Sequence, residues 1–258
     1  MRYWAVIPAA GIGSRMGMEL PKQYLPLRGK PVIAHCLDRL TSHPKISGIV
    51  VALREDDADG AKLLSNPVWN GKPLYLAAGG EQRCHSVLNA LSRLASIAAD
   101  DDWVLVHDAV RPCLRHSDMD KLINTLAAHP TGGLLGVPLS DTIKRVAADD
   151  VQGRALAKGP TNVAGGRTPG AIHRVVETIA RTELWRALTP QMFRLGALTR
   201  ALTETIERGI EVTDDAEAMS LTGAAPVMIE GCADNIKITQ PADLALAEFY
   251  LAQQEQTA

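Results

Sequence analysis

The sequence predicts an α/β protein, a three-layer sandwich in which a mostly parallel, twisted sheet lies between two layers of helices. Three observations predict it. Over roughly the first 130 residues, short β-branched apolar runs alternate with longer segments of helical spacing, the signature of βαβ units. Several of those runs are apolar at every position, as in a strand buried on both faces. The same rhythm returns after residue 190, so the interruption at about 140–186 is an excursion from one core. At 258 residues the chain is long enough to bury that core without a disulfide or metal staple.

The first strand is "YWAVIPAA", and "PVIAHCLDRL" follows as a helix, with Val32, Ile33, Cys36, Leu37 and Leu40 on one stripe and Pro31 suited to its first turn. "ISGIVVAL" (46–53) is a buried strand and "LYLA" (74–77) a shorter one. "QRCHSVLNALSRLASIA" is a helix with Val87, Leu88, Leu91, Leu94 and Ala95 on its apolar face. "WVLVHDA" (103–109) is a strand, "HSDMDKLINTLAAH" a helix capped by Ser117, and "GLLGVP" (133–138) a strand. Within the excursion, "DTIKRV" and "HRVVETI" are β-runs separated by a glycine- and proline-rich stretch with little to bury. Beyond it, "QMFRLGALTRALTETIERG" and "DDAEAMSLTG" are expected as helices, "APVMIE" and "NIKIT" as strands, and "PADLALAEFYLAQ" as the closing helix, with Pro241 near its start.

Composition narrows the function. Lys and Arg total 27 against 29 Asp and Glu, a net charge of -2, so an anionic ligand must be met by a local cluster rather than an overall basic field, and no nucleic-acid partner is expected. The four cysteines are scattered, in neither zinc-site pairs nor a disulfide framework, which suits a reducing compartment. No run approaches the roughly 20 apolar residues of a membrane span, and the glycine turn follows the first apolar run too closely for a secretory signal. A cytoplasmic protein without a membrane partner is expected.

Ligands of such sheets bind beyond the carboxyl ends of the strands. After Ile7 comes "PAAGIGSRMG", with glycines at 11, 13 and 17 in a G-x-G-x-x-x-G spacing that fits neither the dinucleotide fingerprint nor the P-loop. The acid that a nicotinamide ribose would need about 20 residues further on is replaced by "RGKPV". Glycines let backbone N–H groups converge on an anion, and Arg15 and Lys22 add positive charge, so the turn reads as a phosphate cradle of another type; a turn that only reverses the chain has the same composition. Asp108 follows the strand "WVLV" and is suited to Mg²⁺ or to ligand hydroxyls, with Arg111 suited to phosphate; the alternative is an Asp108–Arg111 pair that shapes the loop. His107 reads as a packed strand-end histidine. "GGEQRCHSV" is a Gly-Gly turn entering a helix, able to meet a base or ribose through its first N–H groups and Ser86. In "GCADNIKIT", Lys237 sits in what reads as a buried strand, where a lysine asks for an anion, and Asp234 is a second candidate metal ligand.

Taken in order, "PAAGIGSRMG", "PKQYLPL", "GGEQRCHSV", "VHDAVRP", "DTIKR", "LTPQMF", "VTDDAEA" and "ADNIKIT" strongly resemble the 2-C-methyl-D-erythritol 4-phosphate cytidylyltransferases of non-mevalonate isoprenoid biosynthesis, over nearly the whole chain. The resemblance implies a Rossmann-like sandwich with a protruding β-arm (139–187) that clasps a second copy to form a homodimer. It implies a reaction of CTP with methylerythritol phosphate that yields the CDP-linked alcohol and pyrophosphate with Mg²⁺. Arg15, Lys22 and Lys237 would be the catalytic cations. The nucleotide would be held by Ala9, Ala10, Gly11, Gly13, Gly80, Glu81, Ser86 and Ala109, Glu81 standing where the family has aspartate. The acceptor would be held by Asp108, Arg111, Thr189 and Thr213, with Thr142 and Arg181 from the partner's arm. Asp108 and Asp234 are the candidate metal ligands.

Other readings remain. A relative acting on another alcohol phosphate, such as ribitol 5-phosphate, would share the chemistry. A nicotinamide oxidoreductase would share the early strand and turn but not the basic residues beside it. A nucleotide sensor would leave Asp108 and Lys237 without a reacting phosphate.

Overall fold

The computed structural model describes residues 1–11, 20–147 and 173–256. In chain order its elements are β1 (Tyr3–Pro8), a 3₁₀ turn (Lys22–Tyr24), β2 (Pro26–Leu27), β3 (Lys30–Pro31), α1 (Val32–Thr41), β4 (Ile46–Leu53), α2 (Ala58–Leu63), β5 (Val68–Trp69), β6 (Lys72–Ala78), α3 (Arg83–Ala95), β7 (Trp103–Val106), α4 (His116–Leu126), β8 (Gly132–Pro138), β9 (Ile143–Val146), β10 (Val175–Ile179), β11 (Trp185–Arg194), α5 (Leu195–Glu207), α6 (Asp215–Leu221), β12 (Val227–Glu230) and α7 (Pro241–Gln256). Eight strands form one sheet in the order β12-β8-β11-β7-β1-β4-β6-β5. The β7–β1, β1–β4, β4–β6 and β8–β12 pairs are parallel, whereas β11 runs antiparallel to β7 and β5 to β6.

Strand periodicity makes the two helical layers. Ala5 and Ile7 of β1 face a cluster with Ile33, Leu37 and Leu40 of α1 and Met119, Leu122 and Leu126 of α4. Trp4 and Val6 point the other way, onto Val87, Leu91 and Leu94 of α3 and Leu198 and Leu202 of α5. A third, smaller cluster seats Ala247 and Leu251 of α7 on Leu25, Leu27, Val110 and Ile238.

The chain divides into two compact units, one comprising 1–137 with 187–258, the other Pro138–Arg186. The second contains the two β-runs of the excursion. They pair antiparallel as β9 and β10, with Ile143 opposite Ile179 and cross-strand contacts from Lys144 to Thr178 (2.6 Å) and Arg145 to Glu177 (2.8 Å). Thr142 lies just before β9, and Arg181, just after β10, donates to the carbonyl of Ser140.

Several local expectations are corrected. Residues 191–194 are the end of β11, not the start of a helix. Met192 packs into the cluster below the sheet and Phe193 into the one above, a period of two. Met192, Leu195 and Leu198 also satisfy a three-residue helical spacing, and Pro190, which has no N–H for a ladder, masked the strand. The strand at 103 ends at Val106, three residues earlier than expected. Residues 235–239 form no ladder, so Lys237 is not in a buried strand; its segment is anchored instead by the Ile238 amide donating to Val110 O at 2.9 Å. α4 begins at His116, with Arg115 at its cap position and Ser117 inside the first turn. α2 went unread because Gly60 breaks its pattern; there the hydroxyl of Tyr24 and the cap Asp57 leave no room for a Cβ.

Candidate active site

The site forms where the strand-order rule places it. Ala9, Ala10 and Gly11 follow β1, Gly80 to Arg83 and Ser86 follow β6, and Asp108, Ala109 and Val110 follow β7; with Lys22, Gln23 and Lys237 they line a single cleft. Thus Ala9, Ala10, Gly11, Lys22, Gly80, Glu81, Ser86, Asp108, Ala109 and Lys237, read separately from the sequence, come together. Gly13 and Arg15 lie outside the described residues.

Local hydrogen bonds set the two glycine turns. The side chain of Gln23, a residue 4% exposed, donates to Ala9 O at 3.0 Å and Gly11 O at 3.2 Å, and the Ala9 amide donates to Ala52 O at 2.9 Å, so the opening turn is tied down from behind. At the second turn the hydroxyl of Ser86 accepts from the Gly80 amide at 3.0 Å and donates to Gln82 O at 3.3 Å, bracing the entry to α3. Where the turns meet, a Cβ on Gly79 would collide with the Cβ of Ala10 and lie 3.0 Å from Leu53 O. Gly79→Ala is therefore expected to prise the turns apart and raise KM for the nucleotide by about tenfold, the equivalent of the lower end of an overpacking cost. Steady-state kinetics against an unchanged melting temperature is the check.

Asp108 is the hub of the floor. Its carboxylate receives Lys237 Nζ at 2.9 Å, Arg111 Nε at 3.3 Å and Arg83 Nε at 3.3 Å. Burial would raise its pKa, but Arg83, Lys237 and Arg111 outweigh burial and hold it far below the usual carboxylate range. Arg111 also donates to Asn235 O at 2.8 Å and Ala187 O at 3.4 Å, and Asn235 donates to Thr189 O at 2.7 Å. Thr189 in turn accepts from the Asp108 amide at 3.1 Å. Asp108, Arg111 and Thr189 therefore form one network.

His107 is a packed residue, as its strand-end position suggested. Its Nε2 lies 3.0 Å from Arg111 O, which can only accept, so Nε2 carries the proton and Nδ1 accepts from the Thr189 hydroxyl at 2.9 Å. Burial lowers its pKa to about 4. The unfolded chain, with histidine near 6.5, binds a proton that the folded one refuses, so stability falls as pH drops from about 6.5 to 4. His107→Gln, whose amide can replace Nε2–H, is expected to reduce the loss of unfolding free energy between pH 7 and 5 by about 2 kcal/mol. Urea titrations at the two pH values would read this.

Other candidates lie elsewhere. The Thr213 hydroxyl and amide both bind Glu217, at 2.8 and 2.6 Å, at the start of α6. The Asp234 Oδ2 accepts from Arg115 at 2.5 and 2.9 Å and from Gln254 at 3.0 Å, linking the start of α4 to α7. Among the described residues no group of three His, Cys, Asp or Glu side chains is placed to hold a metal. Asp108, already neutralised by three cations, fits a resident divalent ion poorly.

Arg83 and Asp215 were not singled out from the sequence, nor were the cleft-lining Pro8, Gln23, Gln82 and Val110. Arg83 lines the cleft and bridges Asp108 to Asp215, which it meets at 2.9 Å. A signal existed: a cation in the first turn of a helix opposes the macrodipole and needs a tertiary partner. Asp215 reads as a second capping acid and gave no such signal. Burial raises its pKa, with Arg83 acting against burial.

Two glycine turns and fixed cations lining one cleft at strand ends suit the transfer of a nucleotidyl group, and the fold and cleft are those of an α/β nucleotidyltransferase. The model of the IspD family, 2-C-methyl-D-erythritol 4-phosphate cytidylyltransferase, matches residues 3–158 and 167–253. The chain is 43% identical over 251 residues to the 2-C-methyl-D-erythritol 4-phosphate cytidylyltransferase of Vibrio vulnificus strain YJ016, covering 97% of this chain and 95% of the relative. It is 48% identical over 245 residues to that of Pseudomonas putida KT2440, covering 94% and 92%. Among solved structures, the Francisella tularensis 2-C-methyl-D-erythritol 4-phosphate cytidylyltransferase superposes with a TM-score of 0.74 at 31% identity, covering 97% of this chain and all of that one. The chain belongs to the 2-C-methyl-D-erythritol 4-phosphate cytidylyltransferase family.

Proposed function

We propose that the protein transfers the cytidylyl group of CTP to 2-C-methyl-D-erythritol 4-phosphate. An oxygen of the acceptor phosphate attacks the α-phosphorus in line, the bond from that phosphorus to the bridging oxygen breaks, and pyrophosphate leaves. Both reactants are anions, so positioning and positive charge supply most of the rate. The observation that carries this reading is the convergence of Lys22, Lys237 and both glycine turns on one cleft. Lys22 serves the triphosphate, a role that the family resemblance also implies for Arg15, which lies outside the described residues; Lys237 serves the α-phosphate and the attacking phosphate. Ala9, Ala10 and Gly11 with Gly80, Glu81 and Ser86 hold cytidine, and Asp108, Arg111 and Thr189 receive the acceptor. A Mg²⁺ ion bound by the phosphate oxygens and water would supply further charge neutralisation without needing a carboxylate of the site.

The same proposal includes a cytoplasmic homodimer in which β9 and β10 clasp a second copy, bringing Thr142 and Arg181 to its site. Among the described residues no helix is long and apolar enough to cross a membrane. Pyrophosphate release measured for CTP, ATP, GTP and UTP against methylerythritol phosphate and ribitol 5-phosphate tests the activity. Turnover is expected with CTP and methylerythritol phosphate; faster turnover with ribitol phosphate would overturn the acceptor assignment.

A further inference from the structure

Arg83 spans two carboxylates. Its Nε donates to Asp108 Oδ1 at 3.3 Å and its terminal nitrogen to Asp215 Oδ2 at 2.9 Å. Asp215 is 0% exposed, and its Oδ1 has no hydrogen-bond partner among the described residues. A half-satisfied carboxylate is costly to bury, and the needs of its own helix do not account for it. Asp214 already caps α6, accepting from the Glu217 amide at 2.9 Å. In the site, Asp215 meets Arg83 at 2.9 Å.

The charges explain what that contact does. Without Asp215, Arg83, Arg111 and Lys237 would share the single carboxylate of Asp108. With it, one edge of the rigid guanidinium is pinned from behind, and the other fixes Asp108 Oδ1 while Oδ2 meets Lys237 and Arg111. We propose that Asp215 is a positioning residue that acts through Arg83 to hold the Asp108 carboxylate in the orientation that receives the acceptor alcohol phosphate. This rests on the assignment of Asp108 to the acceptor.

The test is steady-state kinetics of the full-length enzyme with each substrate varied separately, alongside thermal melts. Asp215→Asn, which keeps the shape and removes the charge, is expected to raise KM for methylerythritol phosphate by about tenfold while KM for CTP stays within about twofold, and Asp215→Glu is expected to restore part of the loss. Arg83→Lys, which keeps the charge but loses the fork, should act in the same way, and the double variant Asp215→Asn with Arg83→Lys should be no worse than the poorer single one. Unchanged KM values, a parallel rise for both substrates, or multiplying effects would overturn the proposal. Should Asp215→Asn not fold, Arg83→Lys decides alone, an unaltered KM for the acceptor counting against it. Asp108→Asn separates the two layers: if it leaves the acceptor KM unchanged, the assignment of Asp108 fails and this inference with it; if it raises that KM and Asp215→Asn does not, only the inference fails.

Discussion

Lys22→Ala is expected to lower kcat by on the order of 10² or more, with the fold intact. Removing one donor aimed at developing charge costs other enzymes a comparable factor, because such a group acts where water is excluded and needs no reorganisation. A unit charge about 4 Å from a phosphate near a protein surface carries roughly 4 kcal/mol of bare Coulomb energy before desolvation, and a factor of 10² in rate needs only about 2.7 kcal/mol of it. Lys22 lies on a 3₁₀ turn at the rim, outside the buried clusters, so its truncation creates no cavity. Pyrophosphate release at saturating substrates is the measurement, and a kcat near the parent value would remove Lys22 from the reaction.

Asp108→Ala is expected to abolish measurable turnover and to cost about 3 kcal/mol of stability, since it leaves the buried Arg111 guanidinium without its carboxylate. Arg111 keeps its carbonyl partners at Asn235 and Ala187. The sign with pH is definite. A carboxylate whose folded pKa is depressed contributes stability that is complete above about pH 4, its unfolded value, and is lost as pH falls below that. The gap between parent and variant should therefore be full at pH 7 and narrow in strong acid. Chemical denaturation at neutral pH would read it, and a variant as stable as the parent would mean that the cations are satisfied elsewhere.

Much of the architecture was legible in the chain. β4, where all but one of eight positions are buried, and α1, with a single apolar stripe, fall within a residue or two of where periodicity put them. What failed did so for identifiable reasons. β11 carries a proline and a spacing that serves a helix as well as a strand, and only its place between β8 and β7 settles the matter. Lys237 was singled out on a mistaken premise, a buried strand, yet it reaches the cleft because its neighbour Ile238 is tied to Val110.

The sequence by itself determined the alternation of strands and helices, the glycine turns and the family, because these depend on neighbours along the chain and on residues that no other type replaces. Only the tertiary structure decided which charges meet. Asp108 and Asp234 look alike in sequence, but one gathers Arg83, Arg111 and Lys237 beneath the cleft while the other joins α4 to α7 through Arg115 and Gln254. A carboxylate's role is set by the cations that folding brings within about 3 Å of it, from residues as far as 129 positions away in the chain, and no local pattern records that.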